Sequence, residues 1–180
     1  MNTLELIKKE RHGNGNNFLL IYLLERMRTD GIITEEQSRE YAISVLYLVD
    51  IYLDNIEYEL GNIEYDLINK VSKMISRVGK VPSIVGYQYI DSRRVDVLFV
   101  RIIHLLLTLK ERIDDKYPYP MQLEWKIIIV EGLFSISRAF NDVLNRNLKL
   151  RETIKRKIKD FAASPKKEER EIARKYQGLF

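Results

Sequence analysis

The sequence predicts an all-α fold, a compact bundle of six to eight helices that ends in a basic helical pair. Three observations predict it. Apolar residues recur at helical spacing along most of the chain, as at Ile63, Leu67, Val71, Met74 and Val78. Residues that start helices precede such runs: Asn16 and Asn17 before Phe18, Thr34 before "EEQ", and Ser164-Pro165 before "KKEER". The intervening segments are short and rich in glycine, asparagine and proline, as in "HGNGNN", "DDKYPYP" and "GKVPSIVGYQYIDS".

The elements follow in order. Leu4 to Arg11 forms a short first helix, and the glycines and asparagines of "HGNGNN" turn the chain as a hinge. Asn16 or Asn17 caps a second helix that runs to Asp30, where Gly31 supplies the stop. Thr34 and Gln37 have the spacing of a capping box, in which the Thr hydroxyl accepts from the amide three residues on and Gln reaches back. A long helix follows over 35–60, and Gly61-Asn62 separates it from another that runs to about Arg77. Residues 79–92 form the longest irregular segment.

After a cap at Asp91 or Ser92, Val95 to Leu109 is apolar on nearly every side. That predicts a central buried helix, with His104 a hydrogen-bonded core residue. Proline ends it in "DDKYPYP". Met121 to Asn145 reads as one continuous helix, despite the β-branched run Ile127–Val130. Leu148 to Ala162 is amphipathic, with Leu150, Ile154, Ile158 and Phe161 as its apolar stripe. Ser164 caps the last helix, Pro165 opens it, and it ends near Tyr176. Residues 1–147 then form a helical core, and 148–180 a basic helical extension packed on it or projecting from it. Leu179 and Phe180 are expected to pack onto the body.

Composition narrows the function classes. The 180 residues contain no cysteine, which excludes disulfides, thiol catalysis and Cys-ligated metal sites. Only His12 and His104 are present, so neither a metal site nor a cofactor is expected. No apolar run approaches the length of a membrane span, and "MNTLELIKKER" lacks the apolar core of a signal peptide, which predicts a cytoplasmic protein without a membrane partner. Isoleucine (22) far outnumbers alanine (5), and with the absence of cysteine this points to an AT-rich, thermophilic source.

Charge is distributed unevenly. Residues 35–66 carry nine acidic side chains and one basic, Arg39, whereas 146–180 carry twelve basic and five acidic. Such asymmetry predicts an electrostatic partner for one end, or contact between the two ends. On the helix over 148–162, Lys149, Arg151, Lys155, Arg156, Lys157 and Lys159 are opposed only by Glu152 and Asp160. A row of cations neutralises phosphates and releases counterions without reading base sequence. Arg93 and Arg94 stand at a helix start, where the dipole disfavours cations, so they call for an anionic ligand or a carboxylate. Tyr87, Tyr89, Tyr117 and Tyr119 form two Tyr-x-Tyr loops whose rings can stack on bases.

Two further motifs carry weaker chemistry. Asp50, Asp54 and Glu57 share one face of the long helix, a stripe that can hold Mg²⁺ only with a second acidic pair opposite, and otherwise a solvated face. Arg11-His12 followed by "NNFLLIYLLERMRTDGIITEE" resembles the helical domains that follow primase catalytic domains, with a basic, Asn-rich entry, an apolar helix, then Gly and paired glutamates. The interval from the Asn pair to Gly31 is one residue longer here. The resemblance implies template-binding helices.

Together these features predict a non-catalytic, nucleic-acid-binding accessory subunit of a replication, transcription, RNA-guided or other nucleoprotein assembly. Its contacts would be Arg93, Arg94, Lys149, Arg151, Lys155, Arg156 and Lys159. The second reading is an interaction or scaffolding bundle that forms a homo-oligomer, the acidic 35–66 segment of one copy meeting the basic 146–180 segment of the next. A distant third is a Mg²⁺-dependent nucleotide hydrolase using the carboxylate stripe.

Overall fold

The computed structural model describes residues 1–13, 17–116 and 121–180. Within them the chain forms nine α-helices and no strand: α1 (Thr3–His12), α2 (Asn17–Asp30), α3 (Glu35–Tyr58), α4 (Tyr65–Val78), α5 (Ser92–Lys116), α6 (Met121–Ala139), α7 (Asn141–Arg146), α8 (Leu148–Ala162) and α9 (Lys167–Tyr176). The fold is all-α, as the periodicity predicts. Asn14, Gly15 and Asn16 of the expected hinge, and Tyr117 and Tyr119, lie outside the described residues.

Local chemistry explains where the helices begin and end. Asn2 opens α1 with a capping box: its side chain accepts from the Glu5 amide at 2.9 Å, and the Glu5 carboxylate accepts from the Asn2 amide at 3.0 Å. Thr34 does the same for α3, its hydroxyl accepting from the Gln37 amide at 3.1 Å while Gln37 Oε1 accepts from the Thr34 amide at 3.0 Å. Gly31 stops α2 at φ 101°, a conformation that favours glycine, and its amide donates to the Met27 carbonyl at 3.1 Å.

Three expectations are corrected. The helix expected over 121–145 breaks at Phe140 (φ −106°, ψ 38°), a fully buried residue whose ring packs 5.7 Å from Phe99, so α6 and α7 are separate and the helices among the described residues number nine. The last helix starts at Lys167 rather than Pro165. Ser164 is spent on the turn instead, its hydroxyl accepting from the Lys166 amide at 3.2 Å and donating to Glu169. His104 is exposed on α5 rather than buried. It lies on the side of the helix that also carries Val97, Arg101, Thr108 and Glu111, residues three or four apart in turn.

Two apolar clusters organise the packing. The larger takes in the C-terminal half of α3 (Leu46, Val49, Leu53, Ile56) and the inward faces of α4 through α9. The smaller joins Ile7 of α1 to Leu20, Leu23, Leu24 and Met27 of α2, with Tyr41, Val45 and Leu48 of α3 packed against it. α3 therefore bridges both. Leu150, Ile154, Ile158 and Phe161 of α8, and Ile172, Ala173 and Tyr176 of α9, all belong to the larger cluster, so residues 148–180 share the core of the preceding chain. Phe134 of α6 touches both helices, its ring 6.1 Å from Phe161 edge-on and 5.6 Å from Tyr176. Leu179 and Phe180 pack against this core.

A half-buried ionic chain fixes the same junction. Asp114 of α5 accepts from Lys110 at 2.9 Å and from Lys126 of α6 at 3.1 Å, and Lys126 Nζ lies 3.6 Å from Glu169 of α9. Burial alone would raise the Asp114 carboxyl, but the two lysine hydrogen bonds outweigh it and hold its pKa below the ordinary value. No helix among the described residues is long and apolar enough to cross a membrane.

Candidate nucleic-acid interface

α8 and α9 are joined by the turn Ala163–Lys166 and pack against each other as a hairpin. Between them runs an open groove of about 460 Å³. α8 lines it with Lys155, Ile158, Lys159 and Ala162, α9 with Arg170, Ala173 and Arg174, and the turn after α9 with Gln177. Both sets follow the i, i+3, i+4, i+7 spacing that brings residues to one helix face. The sequences "KxxIKxxA" and "RxxARxxQ" thus present matching stripes, each with two cations one turn apart and a small or apolar residue between them. Phe180 completes the lining.

Among the described residues, no Asp or Glu side chain lines the groove. Lys155, Lys159 and Arg174 have no ion-pair partner among the described residues, and Arg170 contacts only backbone carbonyls. Those contacts tether it: its Nη1 donates to the Ser164 carbonyl at 2.9 Å and the Pro165 carbonyl at 2.7 Å, which ties the guanidinium to the turn. Like charges four residues apart on a helix repel by a few tenths of a kcal/mol. The groove holds two such pairs, an arrangement unfavourable to the fold unless an anion enters.

The residues named from sequence divide sharply by position. Lys155 and Lys159 line the groove. Arg151 lies one turn before Lys155, its guanidinium 5.5 Å from the centre of the Phe180 ring and its Nε buried without a hydrogen-bond partner. Lys149 and Arg156 are exposed outside the groove lining, Arg156 four residues from both Glu152 and Asp160. The structure does not bring Arg93 or Arg94 there either. Arg94 pairs with Asp50 of α3 at 3.4 Å, which supplies the carboxylate its helix-start position calls for, and Arg93 is exposed, its amide donating to Asp91 at 2.9 Å.

The described Tyr-x-Tyr loop also lies elsewhere. Tyr87 packs against the large core, and burial, then the charge of Asp142, pushes its hydroxyl pKa up. Tyr89 carries the Arg39 guanidinium 5.4 Å from its ring centre. Sequence reasoning missed Arg170 and Arg174, which belong to the α9 half of the groove. Their signal was present in the repeated four-residue spacing of the two helices.

The acidic segment has a different fate from the solvated face expected of it. Arg101 of α5 inserts into the stripe, donating to Glu57 through Nε at 2.8 Å and through Nη2 at 3.0 Å. It also bonds Asp54 and stands 3.8 Å from Asp50. The Glu57 hydrogen bond first, then Asp54, raise the Arg101 pKa further above its ordinary value. A guanidinium thus occupies the position that a metal reading would give to a cation. Glu36 pairs with Lys8, Glu40 with Arg11, Glu35 with Arg39 and Glu59 with Lys70. The acidic stretch is neutralised mostly by its neighbours, and no described ion pair joins it to residues 146–180. Arg11, from the segment that resembles primase-associated helices, is held by Glu40 at 2.7 Å.

No protein-family model matches the chain, and no curated protein or solved structure is significantly similar to it.

Proposed function

We propose that the protein binds nucleic acid through the cationic groove between α8 and α9, as a non-catalytic accessory subunit of a larger nucleoprotein assembly. The observation that carries the reading is the set Lys155, Lys159, Arg170 and Arg174: four cations around one concave surface, none paired with an Asp or Glu among the described residues. A polyphosphate backbone is the ligand class that gains most from such a surface, since each phosphate neutralised releases condensed counterions. Elsewhere this chain neutralises clustered charge internally, as Arg101 does for Asp50, Asp54 and Glu57. The groove is the contrast.

Self-association through opposite charges finds less support. It would need a free acidic face, and most carboxylates of residues 35–66 are already committed to Lys8, Arg11, Arg39, Lys70, Arg94 and Arg101.

The test is a salt titration of binding to a labelled oligonucleotide by fluorescence anisotropy. The Lys155→Gln/Lys159→Gln/Arg174→Gln variant runs alongside, leaving Arg170 in place because it also ties the turn. The native chain is expected to lose affinity steeply with salt. The variant should bind at least tenfold more weakly, with a log–log slope shallower by about 2, three contacts at roughly 0.7 each. A variant that binds like the native chain overturns the assignment.

A further inference from the structure

We infer that the groove takes single-stranded rather than double-stranded nucleic acid, with backbone phosphate between the cation pairs and a base against Phe180; this rests on the nucleic-acid reading above. The first ground is shape. The cations flank an open groove of only about 460 Å³ between two packed helices. One strand can enter such a cleft, while a duplex can only lie across its rim. Lys155 to Ala162 spans about 10 Å at 1.5 Å per residue, so the matched pairs Lys155/Lys159 and Arg170/Arg174 address a short run of backbone from both sides.

The second ground is the lining between the charges. Ile158, Ala162, Ala173 and Phe180 give the groove an apolar surface that phosphates alone do not use. A duplex keeps its bases stacked inside and offers that surface nothing. An unpaired strand offers the faces of its bases, which stack on aromatic rings whatever their identity. Phe180 is the aromatic ring among the residues that line the groove, anchored on the core with the Arg151 guanidinium 5.5 Å from its ring centre. Positive walls with an aromatic platform are the combination by which single strands are bound without sequence preference.

The experiment compares labelled 12-nucleotide single strands, DNA and RNA, with the DNA duplex of the same sequence, using the full chain at low salt. At least one single strand should bind about tenfold or more tighter than the duplex. Phe180→Ala should weaken single-strand binding about tenfold, the loss of one stacked base, and change duplex binding less than twofold. Phe180→Leu keeps apolar packing without a ring and should also lose most of the preference, which separates stacking from collapse of the chain end. Lys155→Gln/Lys159→Gln/Arg174→Gln should weaken both ligands together. Duplex binding as tight as single-strand binding, or a preference retained by Phe180→Leu, overturns the inference while leaving the groove a nucleic-acid site. Binding of neither ligand overturns the groove's assignment and the inference with it.

Discussion

Arg101 shows how a single side chain changes the meaning of a sequence pattern. Asp50, Asp54 and Glu57 look like a solvated or metal-binding stripe along the chain, and only the arrival of α5 shows that an arginine answers them. Arg101→Met leaves three carboxylates facing one another and should destabilise the protein by about 1–3 kcal/mol at pH 7. Urea unfolding of the two proteins at pH 7 checks it. Gly86 is a second position of this kind. It sits at φ 87°, and a Cβ there would come 2.0 Å from the Ser38 carbonyl oxygen of α3. Gly86→Ala should therefore cost about 2–3 kcal/mol or more, a left-handed conformation and a backbone clash together, read as a lowered denaturation midpoint. His104 could have been placed from sequence: Arg101, His104, Thr108 and Glu111 recur three or four residues apart, the mark of a wet edge on an otherwise apolar helix. Phe140 could not, because nothing local in "SRAFNDV" announces that burial against Phe99 will interrupt the helix.

Helix starts and faces were legible wherever the physics is local. The capping box of α3, the stop at Gly31 and the apolar stripe of α8 all follow from residues within a turn or two of one another. The groove was legible by half. α8 was singled out for its charge, but its partner stripe on α9 is diluted by Glu168, Glu169 and Glu171, and only the hairpin sets Arg170 and Arg174 opposite Lys155 and Lys159. Charges so crowded carry a cost in the free protein. Arg174→Gln or Lys159→Gln should raise the stability of the unliganded chain by about 0.2–0.5 kcal/mol at low salt, a gain that added salt removes. The hairpin's attachment makes the opposite prediction. Asp114 has a folded pKa below its unfolded value of about 4. Its contribution is fully present above that unfolded value and is lost as pH falls through the lower folded one. Asp114→Asn should lose about 1.5 kcal/mol at pH 7. Its stability should also decline less than that of the native chain below pH 4, measured by denaturant titration across that range.

For the molecule as a whole, the sum of charge was visible in the sequence and its geometry was not. The excess of acid in 35–66 and of base in 146–180 suggests two complementary ends. Folding instead settles the acidic stretch mostly within its own neighbourhood and leaves the basic one with a groove that no Asp or Glu side chain lines among the described residues. The groove is thus a cationic surface without Asp or Glu in its described lining, carried on helices that share the main core through Ile154, Ile158, Ile172 and Tyr176. The measurement that tests this account most directly is amide chemical-shift mapping of the full chain titrated with a single-stranded oligonucleotide. Perturbed amides should cluster at residues 155–162 and 170–180, the two walls and the closing ring of the groove. Shifts centred instead on the loop around Tyr87 and Arg93, or spread evenly over the exposed cations, would contradict it.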